Sequence, residues 1–182
     1  MKNYLFCTLL FLVFFAGYQD VYAQQSLVDK VRVQFFSMKA NKDGALNLYF
    51  RLKPMDLTAN SILLAYRGAA SAASAGSVGG VYKKLEYFSN GKKEIELAVH
   101  KSPDDPEIRF LRLATQLNAP SFLGYHSNIE EDKNHIISSL AKLKGNDPNA
   151  YLYRNISAFL LDNKLLNAVE KLKISQFLKE QV

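Results

Sequence analysis

The segment PEIRFLRLATQL, residues 106–117, decides the fold. Its apolar side chains lie on nearly every side of a helix: Ile108, Phe110, Leu111, Leu113, Ala114 and Leu117. Pro106 suits the first helical position, Asp105 can cap the free backbone N–H groups, and Pro120 follows the end. A helix that is apolar all round must be enclosed by others, so we predict that it is central in an all-α domain.

Apolar residues recur at helical spacing on both sides of this segment. They predict helices over residues 26–38, 43–52, 60–75, 80–89, 92–101, about 127–144, from Asp147-Pro148 onward, and about 164–180. Pro54, Asn90-Gly91, Pro103 and Gly145 mark predicted ends, and Ser127 with Glu130 matches a capping box. Connections this short favour antiparallel hairpins. We therefore expect a single domain of about eight or nine antiparallel-packed helices.

The first 23 residues have the three parts of a cleavable signal peptide. Lys2 gives a positive start, residues 5–15 form an apolar run, and Val21-Tyr22-Ala23 resembles a cleavage site. The run is shorter than the roughly 20 residues that span a bilayer, so an uncleaved anchor is the less favoured alternative. We expect cleavage near Ala23, export to the periplasm or the medium, and a helical domain over residues 24–182 without a transmembrane segment.

Composition restricts the chemistry of the exported chain. The single cysteine is Cys7, so no disulfide would remain after cleavage. The net charge of +6 is unchanged by cleavage, because one lysine and one aspartate are removed. The basic residues are scattered, and an exported protein is not expected to meet nucleic acid. We expect no nucleic-acid partner, and stability from packing alone.

Signatures of catalysis and metal binding are missing from the sequence. The three histidines, His100, His126 and His135, do not share a face with enough further ligands for zinc. The chain contains no Gly-x-Ser-x-Gly nucleophile motif. We therefore predict no catalytic residue, no metal and no cofactor, and we favour a protein that is not an enzyme.

One stretch resembles a tetratricopeptide repeat, a unit of two helices. Gly79 and Tyr82 fit the first helix of that unit, Ala98 a small position of the second, and Pro103 the closing proline. No second copy lies 34 residues away in either direction, so an ordinary helical hairpin is the alternative.

The chain also resembles an uncharacterised family of exported bacterial all-helical proteins. The residues that carry this resemblance are ILLAYRGAASA (62–72), EIRFLRLATQLNAPSFLGY (107–125) and NIEEDKNHI (128–136). The resemblance implies a common fold and no particular activity.

A polar stripe on the central helix is the first candidate site. Arg109, Arg112 and Gln116 fall on one face, and buried guanidiniums need anionic partners. Two paired arginines could hold a carboxylate or phosphate in an anion pocket. The alternative is an internal salt-bridge network, for which the nearest carboxylates in the sequence are Glu107, Glu130, Glu131 and Asp132.

The loop NAPSFLGYH, residues 118–126, adds Tyr125 and His126 to the candidate ligand-binding residues. Phe122 and Tyr125 could line the mouth of a pocket, or they could fold under the loop and seal the core.

Two functions follow. The favoured one is an exported binding or adaptor module for an envelope protein or peptide, which requires a groove or an exposed apolar patch. The alternative is a small-anion binder or enzyme built around Arg109 and Arg112.

Overall fold

The computed structural model describes residues 25–38, 41, 43–143 and 147–180. Helix α1 covers residues 25–37, and seven helices follow: α2 Gly44–Leu52, α3 Ser61–Ser74, α4 Val81–Lys101, α5 Pro106–Asn118, α6 Ile129–Leu140, α7 Ala150–Asp162 and α8 Ala168–Glu180. A 3-10 turn occupies Ser121–Leu123. No strand occurs in the described ranges, which confirms the predicted all-α fold. The predicted signal peptide lies outside the described residues, and none of the described helices is long and apolar enough to cross a membrane.

Helix α5 lies at the centre, as its sequence predicts. Ile108, Leu111 and Leu113 are fully buried, and α5 contacts α3, α4 and α6. Asp105 caps it by accepting hydrogen bonds from the backbone N–H groups of Glu107 and Ile108. The main hydrophobic core draws residues from all eight described helices, so the elements enclose α5 rather than stacking in a row.

Helix α4 corrects two expectations. We predicted a helix end at Asn90-Gly91, but one helix runs without a break from Val81 to Lys101. Gly91 serves a different purpose, because a Cβ atom there would overlap the backbone oxygen of Gly68 on α3. The glycine permits close approach of two helix backbones instead of terminating one. The tetratricopeptide-like reading needs two helices between Gly79 and Pro103, and a single helix occupies that stretch.

Two helix starts also differ from the prediction. Helix α6 begins at Ile129 after Asn128, and the Ser127 hydroxyl bonds to the Asn128 side chain, so the predicted capping box is not formed. Helix α8 begins at Ala168 rather than near residue 164. There Asn167 and Glu170 form a reciprocal capping box, in which each side chain accepts from the other residue's backbone N–H.

A second, smaller apolar cluster joins α3, α4 and the loop before α6. Its buried members are Ala72, Phe88 and Tyr125, with Ala75, Ala119 and Leu123 packed around them. The Phe88 and Tyr125 rings meet edge to face, with centroids 6.0 Å apart. This cluster fixes the loop over the middle of α4 and brings Tyr125 beside the arginine stripe of α5.

Candidate functional site

The two arginines of the predicted stripe converge on one carboxylate. Arg112 holds Asp132 of α6 through two hydrogen bonds, from Nε to Oδ2 and from Nη2 to Oδ1, both 2.7 Å long. Arg109 donates from Nη1 to the same Oδ1 at 2.9 Å, and also to Glu131. Asp132 is completely buried. Both guanidiniums therefore have carboxylate partners from the same chain, as the internal-network alternative requires.

A carboxylate from α4 extends this arrangement. Glu96 accepts from Arg112 Nη1 at 3.2 Å with one oxygen and from the Tyr125 hydroxyl at 2.6 Å with the other. We call this set the α5–α6 network: Arg109, Arg112, Glu96, Tyr125, Glu131 and Asp132. Glu96 was not among the carboxylates expected from the sequence, because it lies on another helix and no local pattern links it to Arg112.

Burial and pairing determine the protonation of the network. Burial is the largest single influence on the pKa of Arg112, and it lowers that pKa. The hydrogen bonds and charges of Asp132 and Glu96 together outweigh burial, so the pKa of Arg112 is raised. Burial followed by the hydrogen bond to Glu96 raises the pKa of the Tyr125 phenol. The hydrogen bond from Arg109 lowers the pKa of Glu131. At neutral pH the arginines and Glu131 are therefore charged and the phenol keeps its proton.

Gln116 and His126 are the two predicted site residues with spare hydrogen-bonding capacity. Gln116 is fully buried, and its Nε2 donates to Asn128 at 3.3 Å, whereas its Oε1 has no partner. The buried Nε2 of His126 has none either. Because Asn128 in turn donates to Glu131, Gln116 is joined to the α5–α6 network. Four of the five predicted residues thus form one connected set, and ligand binding by that set stays a prediction.

The other two carboxylates suggested by the sequence lie elsewhere. Glu130 pairs with Lys133 on its own helix at 2.8 Å. Glu107 points to the opposite side of α5, where it accepts two hydrogen bonds from Arg32 of α1, at 2.8 and 2.7 Å, and one from the Tyr66 hydroxyl at 2.7 Å. Arg32 also donates to Asn149 and Asp29. We call this set the α1–α5 network: Arg32, Glu107, Tyr66, Asn149 and Asp29.

A shallow open groove of about 820 Å³ follows the outer face of α1. The residues along it are mostly polar and carry both signs of charge, although most of the surface that they turn toward the groove is apolar: Gln25, Ser26, Asp29, Lys30, Val33, Gln34, Ser37 and Arg51. Arg51 of α2 closes one side, held by a 3.0 Å hydrogen bond to Gln34. Sequence analysis missed this groove because its residues look like the ordinary solvent face of an amphipathic helix.

The loop residues and the histidines complete the comparison with the sequence. Tyr125 is buried under the loop, whereas Phe122 at its turn is 81% exposed. Within the described part of the chain, no group of three or more side chains could hold a metal ion.

Comparison of the chain with protein-family models, with curated proteins and with solved structures found no match.

Proposed function

We propose that this protein is an exported helical binding module that holds an extended segment of a partner protein or peptide of the bacterial envelope. The groove along α1 is the observation that carries the proposal. It runs from Gln25 to Ser37, about 18 Å at the rise of an α-helix, which matches about five residues of extended chain.

The chemistry of the groove suits a peptide. Asp29 and Lys30 offer a charge of each sign to side chains of the partner, and Gln34 and Ser37 can bond to its backbone. Val33 is half-exposed among them and provides an apolar contact. A mixed, open surface of this kind favours recognition of a chain over enclosure of a small molecule.

The pairing of the arginines argues against the alternative function. A small anion at Arg109 and Arg112 would have to displace Asp132, which is buried and bonded to both guanidiniums. The free Oε1 of Gln116 and Nε2 of His126 are the two features that favour a small polar ligand there. Displacing Asp132 would break a buried ion pair, so we favour the groove.

Site-specific photocrosslinking in the producing cells tests the groove. A benzophenone amino acid at Val33 should give a discrete adduct with a partner, and Arg51→Glu in the same chain should abolish it. The matched control is the same amino acid at Leu172 of α8, another exposed apolar position. No adduct at position 33, or equal adducts at both positions, would contradict peptide binding in the groove.

Export is tested separately. Fractionation should recover the protein outside the cytoplasm, and mass spectrometry should find Gln24 as its first residue. A chain that keeps Met1 and stays in the cytoplasm would contradict the export part of the proposal without affecting the groove.

A further inference from the structure

The first two turns of α4 expose apolar side chains that the core does not use. Val81 is 72% and Tyr82 92% exposed, and Leu85 is also exposed. Val81, Leu85 and Phe88 follow each other at spacings of four and three, so they lie on one stripe of the helix. Phe88 is buried against Tyr125 at the inner end of the stripe. The stripe therefore runs from a buried side chain, Phe88, to exposed ones, Leu85 and Val81.

The same two turns carry positive charge. Lys83 and Lys84 stand at the start of the helix, no acidic residue lies in the first turn, and Gly80 supplies no side-chain cap. From Val81 through Lys93 the sequence contains four lysines and one glutamate. Lysine near the positive end of a helix is unfavourable for helix stability, and exposed apolar side chains are unfavourable in water. Neither feature is explained by folding.

A second exposed aromatic residue lies near the inner end of this stripe. Phe122 lies in the turn Ser121–Leu123, whose Leu123 packs on the cluster that contains Phe88. Lys92, one turn beyond Phe88, places its ammonium 4.8 Å from the centre of the Tyr125 ring. An exposed aromatic side chain and a lysine thus flank this cluster.

We propose that this end of the protein docks on an anionic phospholipid surface. Val81 and Tyr82 would enter the boundary between headgroups and acyl chains, while Lys83 and Lys84 contact phosphate groups. Charge complementarity selects this occupant: lysines immediately beside projecting apolar side chains match a surface that is anionic outside and apolar beneath. The site is separate from the α1 groove and does not depend on peptide binding there.

A single tryptophan can report the insertion, because the chain contains none of its own. The protein is used as recovered from the producing cells, with its first residue determined. In Tyr82→Trp, fluorescence should shift to the blue when vesicles containing phosphatidylglycerol are added, and much less with pure phosphatidylcholine. Tyr151→Trp on α7 is the matched control, since Tyr151 is also exposed, and its emission should not move. No shift at position 82, or an equal shift at position 151, would overturn the proposal. A protein would then be the remaining candidate partner for this face.

Charge variants give an independent measurement of the same surface. Lys83→Gln with Lys84→Gln should weaken sedimentation with phosphatidylglycerol vesicles about 30-fold, since each lysine at an anionic surface contributes about fivefold. The matched control is Lys171→Gln with Lys173→Gln on α8, where Val169 and Leu172 are exposed beside lysines but Glu170 stands in the first turn. An equal loss in both pairs, or none in the α4 pair, would show that α4 does not direct the docking. Circular dichroism verifies that each variant is folded.

Discussion

Two polar networks flank α5, and they are built from the same parts. Each contains an arginine that grips a carboxylate with two nitrogens, and a tyrosine whose hydroxyl donates to a glutamate. They differ in contact with solvent. In the α1–α5 network one exposed carboxylate, Asp29 at 55%, lies beside the buried pair of Arg32 and Glu107, whereas the α5–α6 network has two exposed carboxylates, Glu96 at 39% and Glu131 at 56%. Solvent therefore reaches the first network at one carboxylate and the second network at two.

The difference indicates separate roles for similar chemistry. The α1–α5 network ties α1 and the start of α7 to α5, since Arg32 also bonds to Asn149. The α5–α6 network lies under the loop that carries Phe122, and Asn128 joins it to Gln116, whose Oε1 has no partner. We therefore expect the first to determine stability and the second to tolerate change.

The largest expected effect follows from neutralising Glu107. In Glu107→Gln the buried Arg32 guanidinium loses its buried ionic partner and keeps only the exposed Asp29. Removing one member of a buried pair typically costs about 3–5 kcal/mol. Urea unfolding followed by circular dichroism measures the loss. Replacing the three polar groups together, as Arg32→Met, Glu107→Leu and Tyr66→Phe, should recover most of it. A loss below about 1 kcal/mol in the single variant would show that the buried Arg32 does not depend on Glu107.

Neutralising Asp132 should have a smaller effect. In Asp132→Asn the two arginines keep Glu96 and Glu131, which remain hydrated, so we expect a loss of about 2–3 kcal/mol, below that for a fully enclosed pair. Glu131→Gln is the control and should change stability by less than about 1 kcal/mol, because its side chain is more than half exposed. If Asp132→Asn is as damaging as Glu107→Gln, the two networks do not differ in the way described.

Alkaline pH tests the phenol of each network. Burial, followed by the glutamate that accepts its hydrogen bond, raises the pKa of Tyr66 and of Tyr125. An unfolded tyrosine loses its proton near pH 10, while these two keep theirs in the folded protein. Their stabilising contribution is present below about pH 10 and is lost above it, by about 1.4 kcal/mol per pH unit for each tyrosine.

Single phenylalanine variants separate the two phenols. Tyr66→Phe and Tyr125→Phe should each flatten the fall in unfolding free energy above pH 10 by the same amount, because both rings are buried. A flattening in Tyr66→Phe alone would mean that Tyr125 reaches solvent and that the α5–α6 network opens further than its carboxylates.

The smallest expected effect concerns Gln116. Its Oε1 is buried without a partner, which is unfavourable, so Gln116→Met should leave stability unchanged or raise it by up to about 1 kcal/mol. Thermal unfolding measures the change. A clear loss would show that the Gln116 amide, through Oε1 or through the hydrogen bond from Nε2 to Asn128, has a bonding role in solution.

Local signals in the sequence were sufficient for most of the helices and for the centre of the fold, but not for the continuity of α4 or the starts of α6 and α8. The bounds of α5 and its Asp105 cap follow from residues within one turn of each other, and both were predicted. The Asn167–Glu170 capping box of α8 is equally local, and its Asn-x-x-Glu spacing could have identified the start of that helix.

Contacts between distant residues could not be predicted in this way. Gly91 looks like a helix end, because its real neighbour, Gly68, lies 23 positions earlier on another helix. Arg32 and Glu107 are 75 positions apart, and no spacing rule joins them. For the candidate site, helical periodicity predicts the stripe of Arg109, Arg112 and Gln116. The contact of Arg112 with Glu96 could not be predicted, because it depends on how α4 packs against α5.

The backbone contact between Gly68 and Gly91 also has a consequence for the order of folding. Only residues 75–80 separate α3 from α4, so bringing these two helices together closes a short loop and loses little chain entropy. Such contacts form early in folding more readily than the long-range bridge from Arg32 to Glu107. We expect Gly91→Ala to slow refolding in stopped-flow experiments, and Glu107→Gln to act mainly by accelerating unfolding.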